Sequence, residues 1–421
     1  MPKPERYTLS NGLRVVAARM GELPQVVLRL VIPAGSAAEP WERPGTAALT
    51  GHLLTEGTEM HTAQELNARI DYLGALLHAN VGHDYVEAEA VLLHETLAEG
   101  IQLLAEVVTR PSFPDAEVER IRHESLDALV AREDEPGNVA DDRVSLEVFG
   151  PRHPYGRPSF GTAEGITAVT RNELVAFHAL HYRPAGAYLV AAGDFEPGAL
   201  REMLEAAFAG WTGEAPAVAY PEPGGDTPEQ AGRLIVVPWE DAAQSEIRIA
   251  GRGVDRRSPD WVRAAVANYI LGGSTITGRL GANLREEKGW TYGANSAFSA
   301  GVARGGWTAH TAVDVEVTSD AVEEMLREMR RMAEEPVDEG ELRRARDAMV
   351  LSLPRAFETP GQVASRLGTL EAYGLPHDYW ERYPAAVQAV TAEDVRRIAR
   401  ERFHPDRVVR VVVGGGAAAG D

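Results

Sequence analysis

Glu135-Pro136-Gly137-Asn138-Val139-Ala140 and Thr359-Pro360-Gly361-Gln362-Val363-Ala364 are two versions of one phrase, placed in opposite halves of the chain. The likeness continues outward. Leu146-Glu147-Val148-Phe149-Gly150 faces Leu370-Glu371-Ala372-Tyr373-Gly374, and Ala168-Val169-Thr170 faces Ala389-Val390-Thr391. His181-Tyr182-Arg183-Pro184 then faces Arg402-Phe403-His404-Pro405, and each leads into an apolar strand, 187–192 and 408–413, closed by Gly193 and Gly414. The same order at nearly the same spacing is the mark of an internal repeat. Duplication of one domain explains it.

Between the copies, Pro216, Pro221, Pro223, Gly224, Gly225 and Pro228 fall close together. Proline removes a backbone donor and fixes φ, so this density ends any helix or central strand. The expected division is therefore a domain over 1–215, a linker over 216–231 and a second domain over 232–421. Each copy opens with β-branched and apolar runs, 13–17 and 26–32 in the first, 234–237 and 247–249 in the second. Helical patterns follow. Val322, Met325, Leu326, Met329 and Ala333 recur at helical spacing. Thr170 and Thr391 each stand three residues before an acidic residue, as helix N-caps do. Each copy thus reads as α+β, an antiparallel-rich sheet packed with helices.

Composition narrows the function. The 421 residues are 44% hydrophobic and 25% charged, ordinary for a soluble globular chain and long enough for two or three cores. There is no cysteine, which excludes disulfides and thiolate metal sites. With 63 acidic against 42 basic residues the net charge is −21, so nucleic acid is a poor partner. No apolar run approaches the roughly eighteen residues of a membrane span. The polar start, Met1-Pro2-Lys3-Pro4-Glu5-Arg6, lacks the apolar core of a secretory signal. The expectation is a cytoplasmic protein as written, or a periplasmic or secreted one whose signal has been removed.

One further stretch points to chemistry. Leu284-Arg285-Glu286-Glu287-Lys288-Gly289-Trp290-Thr291-Tyr292 follows the glycines Gly272 and Gly273. It resembles the arginine/tyrosine signature of the M16, pitrilysin-type zinc peptidases. The run 44–58, the run 110–120 with Phe113-Pro114, His153-Pro154-Tyr155-Gly156 and Tyr182-Arg183-Pro184 resemble other parts of the same family, in the family's order. The resemblance spans nearly the whole chain. It implies two homologous tandem domains in a clamshell. It also implies that Arg285 and Tyr292 hold the substrate backbone beside the scissile bond. Arginine offers a planar, permanently charged set of donors to carbonyl oxygens, and a tyrosine hydroxyl can donate to a developing oxyanion.

The zinc motif of that family is H-x-x-E-H on a helix, with two histidines on one face, a glutamate base between them and a glutamate ligand from a later helix. Alignment on Gly57-Thr58 places Ala48 at the first histidine, Gly51 at the base and His52 at the second histidine. Alignment on Phe113-Pro114 places Ala128 at the distal ligand, beside Asp127. Alanine and glycine neither bind zinc nor take a proton, so no metal site and no cofactor is expected in this chain. His52, the sole remnant, is expected to be packed or hydrogen-bonded. His178 and His181 stand on a predicted helix without an acidic partner at ligand spacing, and His78 and His83 flank a strand turn. Gly273 and Gly278 have the glycine spacing of a P-loop, but Arg279 and Leu280 stand where lysine and a hydroxyl residue are required.

The resemblance therefore implies a non-catalytic, substrate-binding subunit of a heterodimeric zinc endopeptidase, this chain alone being inactive. Zinc, base and ligand glutamate would come from a partner subunit with an intact H-x-x-E-H, and Arg285 and Tyr292 would act in trans on a peptide. The alternative is a proteolytically inactive scaffold of the same fold, as a homodimer or within a larger complex. A peptidase built on an unorthodox site around His52 ranks last, because the base is missing.

Overall fold

The structure is a computed structural model that describes residues 3–21, 23–221 and 228–415. Its first sheet contains β1 (Glu5–Thr8), β2 (Arg14–Arg19), β3 (Gln25–Ile32), β4 (Leu76–Val81), β5 (Val86–Leu93) and β6 (Tyr188–Gly193), in the order β1-β2-β6-β3-β5-β4. The second contains β7 (Leu234–Pro238), β8 (Gln244–Arg252), β9 (Ala294–Phe298), β10 (Gly306–Asp314) and β11 (Val408–Gly414), in the order β7-β11-β8-β10-β9. Removing the edge strand β1 makes the two orders identical, β2 answering to β7 and β6 to β11. Each sheet has one parallel pair, β2 with β6 and β7 with β11, and is otherwise antiparallel. The duplication read in the sequence is thus a duplication of topology, and the α+β class holds.

The central strands are buried on both faces, and their sequence shows why. In β11, Val408 and Val412 join the main core of the second sheet, while Val409, Val411 and Val413 face the other way. In β8, Ile247 and Ile249 take the first face and Ala250 the second. A strand apolar at every position needs cover on both sides.

The repeated phrase supplies that cover by exchange. The chain packs as two compact units. One comprises Met1–Leu129, Pro158–Ala219 and Pro354–Ala372, and the other Val130–Arg157, Tyr220–Leu353 and Tyr373–Asp421. The helix Pro136–Phe149 belongs to the unit of the second sheet, where Ala140, Val144 and Val148 pack on Ala250, Val409, Val411 and Val413. Its Asp141 accepts from Arg248 Nε at 2.6 Å. The matching helix, Pro360–Tyr373, belongs through Ala372 to the unit of the first sheet. There Glu371 takes Arg14 at 3.1 Å, and the carbonyls of Gly368 and Ala372 accept from Tyr188 and Tyr85. The compact units are accordingly not contiguous in sequence: each copy of the repeat lends its Pro-Gly helix to the other.

Local signals fall where expected. Thr170 and Thr391 both cap helices in complete capping boxes with Glu173 and Asp394. The methionine-bearing helix runs Thr318–Glu334, with Met325 and Met329 fully buried. Of the expected linker, 222–227 lie outside the described residues, and 216–221 form no helix or strand. Among the described residues no helix is long and apolar enough to cross a membrane.

Candidate functional site

The segment aligned with the zinc motif forms the helix Thr46–His52. Its N-terminus is held by buried Glu39, whose Oε2 accepts from the backbone N–H groups of Gly45 at 3.1 Å and Ala47 at 3.0 Å. A carboxylate there meets the free donors and positive dipole end of the helix. Ala48 is buried at 5% exposure. At Gly51 an added Cβ would lie 2.3 Å from Val81 Cγ2 on β4. The position of the base is therefore closed to a larger side chain unless Val81 moves.

His52 is exposed and has no side-chain hydrogen bond among the described residues. The expected packed or hydrogen-bonded histidine is corrected, because the helix turns this position toward water. Partial desolvation lowers its pKa below the ordinary histidine value. On the helix Asp115–Glu133, Asp127 and Ala128 are both exposed. Two turns earlier, Arg120 gathers Glu117 at 2.7 Å, Glu124 at 2.8 Å and Glu56. These hydrogen-bonded carboxylates hold the Arg120 guanidinium charged, while desolvation outweighs Arg120 at Glu56 and raises that carboxyl. Among the described residues no group of three His, Asp or Glu side chains is placed to hold a metal ion. The residues at the motif positions do not fit zinc.

His178, one of the other histidines considered, has a packing role. It donates from Nε2 to the Val108 carbonyl at 2.8 Å and stands beside Tyr182, with ring centroids 4.5 Å apart. Burial pushes its pKa down to about 4.

The arginine/tyrosine segment is built differently. The chain enters it through glycines in tight backbone contact. A Cβ at Gly281 would lie 1.9 Å from the Thr275 carbonyl oxygen, and one at Gly278 2.6 Å from that of Ser274. These glycines serve close packing ahead of the Arg285 turn. Residues Ala282–Glu287 then wind as a π-helix, followed by Gly289 at φ +66°. Such wide turns recur at functional sites.

Buried Asn283 fastens the turn, its Nδ2 donating to Glu324 at 2.8 Å and Glu328 at 3.2 Å. Lys288 reaches Glu324 at 3.4 Å and lies 4.8 Å from the Trp290 ring centroid. Thr291 is bound by Thr311 of β10 at 3.1 Å and receives the Gly293 N–H at 3.1 Å. Beside these fixed points Tyr292 is 93% exposed. Arg285 is partly exposed, and its ion pair with neighbouring Glu286 is a long one of 3.5 Å. The structure therefore places both residues on one pinned segment at the surface of their unit. The segment holding His52 belongs to the other unit. Sequence reasoning missed the fastening residues Asn283, Thr291 and Thr311, since each is a common residue whose partner is distant in the chain.

Comparison with known proteins agrees with this division of features. Residues 14–162 match the family described as Insulinase (Peptidase family M16), and residues 168–349 match Peptidase M16 inactive domain. An uncharacterized zinc protease of Mycobacterium tuberculosis is 29% identical over 408 residues, covering 94% of this chain and 90% of its own length. The crystal structure of a peptidase M16 inactive domain from Pseudomonas fluorescens superposes with a TM-score of 0.91 at 26% identity, covering 99% of each chain. A chain of complex III2 from Candida albicans shares the fold, with a TM-score of 0.78 at 19% identity over 97% of this chain and 95% of that one. In sequence, topology and domain content, this chain belongs to the M16 peptidase family.

Proposed function

We propose that this chain is the non-catalytic, substrate-binding subunit of a heterodimeric M16 zinc endopeptidase. The observation that carries the reading is Tyr292, an aromatic side chain 93% exposed on a loop whose flanks are hydrogen-bonded in place. An exposed tyrosine buries almost nothing and contributes little to folding. A fixed loop that presents it suits a ligand-facing role. Arg285 stands on the same segment, its fork only weakly engaged by Glu286 and suited to carbonyl oxygens of a peptide.

Zinc and the general base would come from a partner subunit with an intact H-x-x-E-H. Such an ion polarises the scissile carbonyl and activates water. In this chain Arg285 would align the peptide backbone, and the Tyr292 hydroxyl would donate to the oxygen that gains negative charge. Edge strand β4, with Leu76 65% exposed, offers a row of backbone groups on its outer side that suits strand addition by a peptide or partner.

The test is to mix the chain with a candidate H-x-x-E-H subunit and follow peptide hydrolysis. Activity on mixing that Tyr292→Phe sharply reduces supports the reading. Undiminished hydrolysis in the Tyr292→Phe mixture overturns it. A stable homodimer without peptide affinity supports the scaffold role instead.

A further inference from the structure

A cavity of about 550 Å³ lies within the unit of the second sheet, away from the Arg285 segment in sequence, lined by Val148, Phe149, Pro151, Arg152, Glu229 and Arg252 among others. Arg252, the last residue of β8, is 6% exposed. Among the described residues its Nε and Nη1 have no hydrogen-bond partner. Its guanidinium carbon lies 5.3 Å from the Phe149 ring centroid, which supplies a cation–π contact but no anion. Burial and the nearby charge of Arg304 hold its pKa down to about 10, against the opposing charge of Glu229, which acts on it without a hydrogen bond or ion pair. A buried arginine without a bound carboxylate is costly, and buried charges are ordinarily paired. By contrast Arg248, on the same strand and similarly buried, is paired with both Asp141 and Glu246.

The loop 150–156, which supplies part of the lining, is folded closely on itself. Gly150 stands at φ +83°, and a Cβ at Gly156 would lie 2.0 Å from the Gly150 carbonyl oxygen. Val148, Phe149 and Pro151 make the wall apolar, and Arg152 adds a second cation to the lining. Glu147 and Glu229 also line it. Glu147 is already paired with Arg143 at 2.7 Å, so Glu229 alone opposes the two arginines, which disfavours a polyphosphate and leaves room for a single negative charge.

We propose that this cavity binds a small organic carboxylate, whose oxygen atoms meet Arg252 and whose apolar body lies along Val148, Phe149 and Pro151. A short-chain acid and the C-terminus of a short peptide present this same chemistry. The site stands apart from the peptidase reading and does not depend on it.

The test uses the full chain with isobutyrate, acetyl-alanyl-leucine, acetyl-alanyl-leucine amide and inorganic phosphate as probes, followed by calorimetry and thermal unfolding. Binding of either carboxylate, with no binding of the amide, is expected, and the tighter of the two identifies the source. Arg252→Met should weaken that binding roughly 10- to 100-fold, the loss of a charge-assisted hydrogen bond. The same variant should raise Tm without any probe, because an unpaired buried charge is gone. Glu229→Gln, at an exposed position, should tighten binding roughly twofold or more by removing a like charge. Equal binding of acid and amide, binding of phosphate alone, no binding of any probe, or full binding by Arg252→Met would each overturn the proposal.

Discussion

Replacing Tyr292 by alanine should leave the fold untouched while removing function. A buried tyrosine hides roughly 200 Å² of side-chain surface. At 93% exposure, Tyr292 hides only about 7% of that. At about 25 cal/mol per Å², the lost burial is worth about 0.4 kcal/mol at most. No hydrogen bond of its side chain is present among the described residues, so none is lost. Urea unfolding of Tyr292→Ala and Tyr292→Phe should therefore match the parent within about 0.5 kcal/mol, the usual range for surface substitutions. If the hydroxyl stabilises a developing oxyanion, its loss costs roughly 10²- to 10³-fold in turnover. The assay is hydrolysis of a quenched fluorescent peptide by the mixed subunits, run beside the urea curves. A destabilisation above about 1.5 kcal/mol, with hydrolysis lost only in proportion to the unfolded fraction, would show Tyr292 to be a structural residue instead.

Other consequences follow from the same geometry. Gly281→Ala must displace the Thr275 carbonyl and should cost at least about 1–3 kcal/mol. Gly289→Ala meets no atom within 4 Å and carries only the left-handed φ penalty of about 1–2 kcal/mol, so its urea midpoint should fall less than that of Gly281→Ala. Restoring the motif with Ala48→His and Gly51→Glu should destabilise the first unit through Val81 by about 1–3 kcal/mol, read by thermal unfolding; a stable variant would contradict the crowding at β4. His178 has a folded pKa depressed to about 4 from an ordinary value near 6.5, so the unfolded chain takes up its proton first on acidification. Its contribution is present above pH 6.5 and lost as pH falls toward 4, on the order of 2 kcal/mol after allowing for partial exposure. Stability measured across that window should be flatter in His178→Leu than in the parent.

The duplication is legible in the sequence because apolar strands and Pro-Gly phrases carry their signal locally. So are the capping threonines, whose partners lie three residues away. The exchange of helices is not legible: Pro136–Phe149 and Pro360–Tyr373 look alike because both cover the same kind of sheet face, and nothing in the repeat says whose. The motif substitutions at Ala48 and Gly51 can be read directly, but the contact of Gly51 with Val81 needs the fold. His52 defeats sequence reasoning because one helix position decides between core and water. Arg252 gives no local signal, because its unpaired state depends on what β8, Phe149 and the 150–156 loop leave empty.

If this chain contributes substrate binding and lacks a zinc site of its own, two properties of the purified protein decide the matter. They are zinc content and peptide hydrolysis, each followed for the chain alone and with an H-x-x-E-H subunit. Alone, the chain should hold no stoichiometric zinc and hydrolyse nothing, and activity should appear on mixing. One zinc per chain together with hydrolysis by the chain alone would contradict this.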